Sequence, residues 1–367
     1  MDTFRFFMPT EVFFGEGSVR NHVDRWLYGS KALIVTGQKS AELSGALADV
    51  TAVLDAHSIP YTHFNGIGAN PSREQVYAGA AAAEGCDFVV AVGGGSPMDA
   101  AKAIAWVRGS EIPEADFFGR KPLAEDTVLP IVAIPLTCGT GSEVTPYAVI
   151  TDSERQAKRN VTGPNFFPKV ALLDPAYLKT LPPAVLADTT LDALSHAIEG
   201  AYSLRASRLS LSLSERAIAI ILPELIRMAH GEFVNLGELM YASMLAGIVI
   251  AQAGTGLVHA MGYPLTLFKG MPHGRANGIL LSGYLDFMYD SCTDLTERIL
   301  RAAGLDSTNE LQALIDVLMD RNGCDRTQPT EEELYRFAQE PLRLEVMQRC
   351  RTMPSRAEVM DIYRNGY

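Results

Sequence analysis

The strongest constraint on how this chain folds is a change of rhythm near its middle. In the first half, short β-branched apolar runs at 32–36, 87–92, 129–135 and 170–173 read as buried strands, and alanine-rich helical spacings at 41–57, 72–84 and 97–107 lie between them. Strands alternating with helices of about 10 to 15 residues predict a parallel sheet covered by helices on both faces. After Pro182 and Pro183 the β-branched runs stop, and helical spacing alone continues over 184–202, 209–230, 236–253, 277–289, 294–303, 309–321, 331–337 and 355–363, with a polar loop at 324–329. The expected fold is therefore an α/β, doubly wound parallel-sheet dinucleotide domain over 1–179 followed by an all-helical domain over 180–367. A chain of 367 residues is long enough for two cores.

One segment imitates a membrane span. From residue 240 to residue 263 there is no Asp, Glu, Lys or Arg, and a bilayer needs only about 20 such residues. The run also carries Ser243, Gln252, Thr255, His259 and four glycines, which fits a helix buried inside a helical domain better. The net charge of −12 sets the surface against nucleic acid and anionic membranes. Five scattered cysteines with no C-x-x-C pair read as core thiols in a reducing compartment. The first residues lack a basic and then apolar leader pattern, so a cytoplasmic location is expected.

Two polar straps follow predicted strands. Gly93, Gly94, Gly95, Ser96, Pro97 and Asp99 stand between a strand and a helix, with Ser96 expected as N-cap, Pro97 at the first helical position and Asp99 closing a capping box. Glycines that let backbone amides approach a ligand, at a helix N-terminus, make an anion site suited to a pyrophosphate. A second strap, Thr137 to Glu143, follows the strand at 129–135, again at a carboxyl end. After the first strand the chain reads Gly37, Gln38, Lys39, Ser40, with no carboxylate to hold a ribose diol and with donors for a 2′-phosphate. NADP(H) is thus expected in preference to NAD(H).

The helical half holds a second constellation. Asp192 and His196 share one helix face at i, i+4, and His259 and His273 lie further along the chain. One carboxylate and three imidazoles suit a borderline divalent ion such as Fe²⁺ or Zn²⁺. Glu199 is expected as a helix-surface charge rather than a partner of that set, and His22, His57, His63 and His230 as surface or structural residues.

Taken in order, GGGSPMDAAK from Gly93, PLTCGTGSEVT from Pro135, DALSHAIEG from Asp192, GLVHAM from Gly256 and PHGRAN from Pro272 resemble the iron-dependent (group III) alcohol dehydrogenases along nearly the whole chain. The resemblance implies one divalent metal held by Asp192, His196, His259 and His273, and a cofactor lined by Gly94, Gly95, Ser96, Asp99, Thr137, Thr140 and Lys158, with Gly37 and Ser40 at the adenosine ribose. It implies hydride transfer between NAD(P)(H) and a small aldehyde or primary alcohol. The sequence leaves the oligomeric state open, a homodimer being the commonest case among soluble oligomers. Many members carry a further histidine, thought to assist proton transfer, where this chain has Tyr263. A phenol titrates near 10 and relays protons less readily at neutral pH, although it can donate a hydrogen bond. Arg275, Arg205 and Arg208 admit an aldehyde bearing an acidic group. Glycerol dehydrogenases and dehydroquinate synthases look similar in architecture, and the metal set and missing ribose carboxylate argue against them.

Overall fold

The computed structural model describes residues 3–324 and 328–367, so half of the 324–329 loop, residues 325–327, lies outside the described residues. The chain divides into two compact units, one of Phe7–Leu181 and one of Pro182–Tyr367 together with the N-terminal residues through Phe6.

The first unit is built on six parallel strands, β1 (Glu11–Phe14), β2 (Ala32–Gly37), β3 (Tyr61–Ile67), β4 (Phe88–Gly93), β5 (Ile131–Pro135) and β8 (Val170–Leu173), in the order β1-β8-β5-β4-β2-β3. Side chains alternate between two separate cores, as a strand period of two requires. Leu33, Val35, Val89, Ala91, Ile131 and Ala133 enter one core, whereas Ile34, Phe88, Val90, Val92, Val132, Ile134 and Leu172 enter the other. Strands buried on both faces explain the continuous apolar runs in the sequence. Strand β2 pairs with both β3 and β4, so the winding direction reverses between β2 and β4, and that switch point is where open α/β sheets bind ligands.

Four strands escaped the apolar-run criterion. β1 is a four-residue edge strand, β3 is an edge strand with an Asn65-Gly66 step, and β6 (Tyr147–Asp152) and β7 (Ala157–Thr162) form a separate antiparallel pair. The helix expected over 41–57 is two helices, Ser40–Leu43 and Ala46–Ala56, because Gly45 adopts φ +84° between them.

Among the described residues every regular element from Pro183 onward is a helix, and these helices pack around one core. Helix Pro183–Tyr202 contributes Leu191, Leu194, Ala197 and Ile198 to it, and Arg208–His230 contributes Ile218, Ile221 and Leu225. Gly200 permits close approach of Leu236–Ala253: a Cβ there would lie 2.2 Å from Val249 Cγ1. Among the described residues Leu236–Ala253 is long and apolar enough to cross a membrane, but 67% of it is buried by protein. The uncharged run is not one helix, as expected from its composition. It breaks at Gly254, where φ is +79°, and resumes as Leu257–Lys269.

Candidate active site

The break at Gly254 decides where His259 goes. It lies in the first turn of Leu257–Lys269, not near the end of a long helix, and this start points it at Asp192 and His196 on Pro183–Tyr202. One donor atom from each of Asp192, His196 and His259 can be chosen so that all lie within 4.8 Å of one another, and all three residues are buried. The His196 and His259 rings stack at 4.6 Å, and His259 Nε2 stands 3.7 Å from Asp192 Oδ1. His273 opens the short helix His273–Gly278 at the rim of this trio. Its Nε2 is 3.8 Å from Asp192 Oδ1 and its side chain is 31% exposed. Gly274 makes that placement feasible, because a Cβ there would sit 1.9 Å from the Asp188 carbonyl oxygen. Tyr263 lies beside His273 with the rings stacked at 6.0 Å.

Burial alone would raise the Asp192 carboxyl. The surrounding charges of His196, His273 and His259, with a hydrogen bond from Asn277 Nδ2 at 3.0 Å, instead hold it below the usual carboxylate range. A buried, ionised oxygen donor among imidazole nitrogens is the donor chemistry that Fe²⁺ or Zn²⁺ accepts, so these residues fit a divalent ion.

Three neighbours of the trio were missed or misread in the sequence. Glu199 is not a surface charge but 2% exposed: its Oε2 bonds to His259 Nδ1, and its Oε1 accepts from the backbone N–H of Gly256, Val258 and His259. Its signal was present, since position i+3 from His196 shares a helix face. Asn277, fully buried, joins Asp192 to His273, with Nδ2 3.3 Å from His273 Nε2. Arg275 forks onto Asp188, Nε to Oδ1 and Nη2 to Oδ2, both at 3.0 Å.

In the first unit, one strap follows β4, which borders the switch point, and the other follows β5 beside it. β4 and β5 are neighbours, with Gly93 opposite Pro135, so the two straps emerge side by side. A Cβ on Gly94 would lie 3.1 Å from Thr137 Cγ2, and one on Gly95 would lie 2.8 Å from Thr140 Cγ2. The capping expectation is corrected here. Helix Gly95–Ser110 starts two residues early with Gly94 at its N-cap and no side-chain cap. Ser96 Oγ instead accepts from Asn70 N at 3.3 Å. Asp99 accepts from Ser142 Oγ at 2.7 Å and from Val149 N at 2.9 Å. Lys102, fully buried one turn on, donates to Ser142 Oγ at 2.7 Å and to the Tyr147 carbonyl at 2.8 Å. Asp99 and Lys102 thus fasten the second strap to the helix that follows the first. Burial lowers Lys102 to about 8 against the opposing charges of Asp99 and Glu143.

Gly37 ends β2, and a Cβ there would meet nothing closer than Pro97 Cγ at 3.7 Å and Ser40 Oγ at 3.8 Å. Lys39 and Ser40 are exposed just beyond it, and Lys158 lies on β7 opposite Thr151.

Residues 9–175 match the family described as iron-containing alcohol dehydrogenase, and residues 186–367 match the Fe-containing alcohol dehydrogenase family, C-terminal. The chain belongs to the iron-containing alcohol dehydrogenases. It is 37% identical over 310 residues to lactaldehyde reductase of Escherichia coli K12, covering 82% of this chain and 80% of that one. It is 32% identical over 330 residues to an NADPH-dependent butanol dehydrogenase of Clostridium saccharobutylicum, covering 87% and 83%. The iron-containing alcohol dehydrogenase of Thermotoga maritima superposes with a TM-score of 0.88 at 34% identity, covering 99% of each chain. Membership makes the chain an oxidoreductase of alcohols and aldehydes, and the family implies iron and NAD(H) binding.

Proposed function

We propose that this chain is an NADP(H)-dependent reductase of small, neutral aldehydes, working on an ion held by Asp192, His196, His259 and His273. The observation that carries the reading is the convergence of Asp192, His196 and His259 to within 4.8 Å on buried helices drawn from distant parts of the chain. When bound, the ion supplies Lewis acidity at the substrate oxygen and the nicotinamide supplies the hydride.

The protein's own part is placement. Gly94, Gly95, Ser96, Thr137 and Thr140 present backbone amides and hydroxyls to the pyrophosphate, Asp99 holds the second strap in place, and Lys158 lines the cofactor from β7. Gly37, Lys39 and Ser40 would receive the 2′-phosphate: Gly37 brings no carboxylate, Lys39 is an exposed cation two residues on, and an aspartate at 37 would repel the phosphate. The NADPH-dependent relative supports this preference. Tyr263 supports His273 through its stacked ring, and its phenol offers a hydrogen-bond donor beside the site.

The pairing of Arg275 with Asp188 favours a neutral substrate, because the guanidinium has its fork filled already. A reductase acting on an acidic semialdehyde, and a glycerol dehydrogenase-like or dehydroquinate synthase-like enzyme on the same fold, are the rival readings. The enzyme is proposed to work as a homodimer in the cytoplasm, a reducing compartment in keeping with five cysteines that form no disulfide.

The test is a matrix of NADPH and NADH against lactaldehyde, butanal and succinic semialdehyde, with anaerobically prepared protein. The reading requires net NADPH oxidation with the neutral aldehydes and a higher kcat/KM for NADPH than for NADH. Equal or better use of NADH ends the NADP assignment, preference for the semialdehyde ends the neutral-substrate assignment, and absence of net redox turnover ends the reductase reading.

A further inference from the structure

Glu199 has no assigned role, yet it is the most completely engaged carboxylate near the metal-site residues. Its two oxygens do different work. Oε1 gathers three backbone donors at the start of Leu257–Lys269, from Gly256 at 3.1 Å, Val258 at 2.6 Å and His259 at 3.3 Å. Oε2 lies on the His259 ring at Nδ1. Only a few residue types could satisfy both demands. A carboxylate oxygen facing a ring nitrogen serves as the acceptor, so Nδ1 donates to Oε2, and Nε2, which stands 3.7 Å from Asp192 Oδ1, keeps its lone pair.

We infer that Glu199 is the positioning residue of the metal centre, locking His259 in the tautomer that can ligate and tying the backbone of the same residue to helix Pro183–Tyr202. The inference rests on the metal reading above. Glu199 touches neither substrate nor cofactor, and it acts through His259. A carboxylate used only to cap the helix N-terminus would need Oε1 alone. The bond from Oε2 to the ring is what a cap does not explain.

Glu199→Gln separates the two roles. Glutamine keeps the shape and one oxygen for the three N–H groups, but that orientation turns its amide donor toward His259 Nδ1. The ring must then accept there and carry its proton on Nε2, which blocks ligation. The experiment titrates chelator-stripped wild type, E199Q and E199D with Co²⁺ and with Fe²⁺ under argon, following the visible Co²⁺ bands and competition with a chelator. NADPH binding and the melting temperature are measured alongside. Loss of an outer partner of this kind weakens metal affinity by about 10- to 100-fold. E199Q should show that loss with NADPH affinity unchanged, and E199D, which keeps the carboxylate, should recover part of it.

Metal binding by E199Q within threefold of wild type overturns this proposal alone. Failure of wild type to take up either ion overturns the metal reading and this proposal together. Should E199Q not fold, ¹⁵N-histidine NMR on the wild-type apoprotein decides: a His259 signal protonated at Nδ1 supports the proposal, and one protonated at Nε2 overturns it.

Discussion

Arg275 and Asp188 form a two-pronged ion pair, with both N···O distances 3.0 Å, that ties the helix opened by His273 to the helix that carries Asp192 and His196. Burial raises the Asp188 carboxyl, with the nearby Asp192 charge adding to the rise, while Arg275 pulls it back. The pair therefore shapes the rim of the site more than it offers a charge to a ligand. Replacing Arg275 with alanine leaves a buried carboxylate alone, a change that costs about 3 kcal/mol in comparable pairs. Denaturant unfolding of Arg275→Ala should show a loss of that order. Its kcat/KM should fall by the same factor for succinic semialdehyde as for butanal. A selective loss on the acidic substrate would assign Arg275 to substrate recognition instead.

Gly274 should tolerate no side chain, since a Cβ would lie 1.9 Å from the Asp188 backbone oxygen. Gly274→Ala must push His273 away from Asp192. Turnover should drop at least about tenfold, a change of about 1.4 kcal/mol in the barrier, while NADPH affinity, a property of the other unit, stays the same. Parallel kinetics and dinucleotide titration check both halves of the expectation.

Much of this arrangement could be read from the chain, and what could not has definable causes. The buried strands β2, β4, β5 and β8 announced themselves because both faces are covered, so their residues are apolar apart from Thr36 near the end of β2. β3 did not, because an edge strand exposed at His63, Asn65 and Gly66 shows no such run. Asp192 and His196 were legible as an i, i+4 pair, since helix geometry is local. Glu199 looked like a surface charge because its three backbone donors and its histidine arrive 57 to 60 residues later. Lys102 was hidden likewise, as its partners Ser142 and Tyr147 are 40 and 45 residues away.

Gly37 offers the simplest test of cofactor choice. An aspartate built there meets no atom closer than 3.7 Å at its Cβ, so Gly37→Asp should fold normally. The new carboxylate repels a 2′-phosphate and accepts from a ribose diol. The ratio of kcat/KM for NADPH to that for NADH should fall at least about tenfold, or 1.4 kcal/mol. An unchanged ratio would move the 2′-phosphate away from the end of β2.

Glu143, buried beside Lys102, links stability to pH. Burial raises its carboxyl from 4.5 to about 7, with its own backbone N–H and Lys102 opposing the rise. Between those values the folded chain binds the extra proton, so stability is greatest below about 4.5 on this account and is lost as pH rises toward 7. Glu143→Gln removes that proton linkage. Its urea-unfolding free energy should decline less between pH 5 and pH 7 than that of wild type, and equal declines would show that Glu143 is ionised throughout.

The central claim is that Asp192, His196, His259 and His273 hold one ion on which aldehyde reduction depends. Elemental analysis of anaerobically purified protein, before and after chelation, combined with NADPH-dependent butanal reduction on the same samples, tests it most directly. The account requires one divalent ion per chain in wild type, loss of ion and activity together on chelation, recovery of both on adding Fe²⁺ or Zn²⁺, and neither in His259→Ala. Full turnover by stripped protein containing no ion would contradict it.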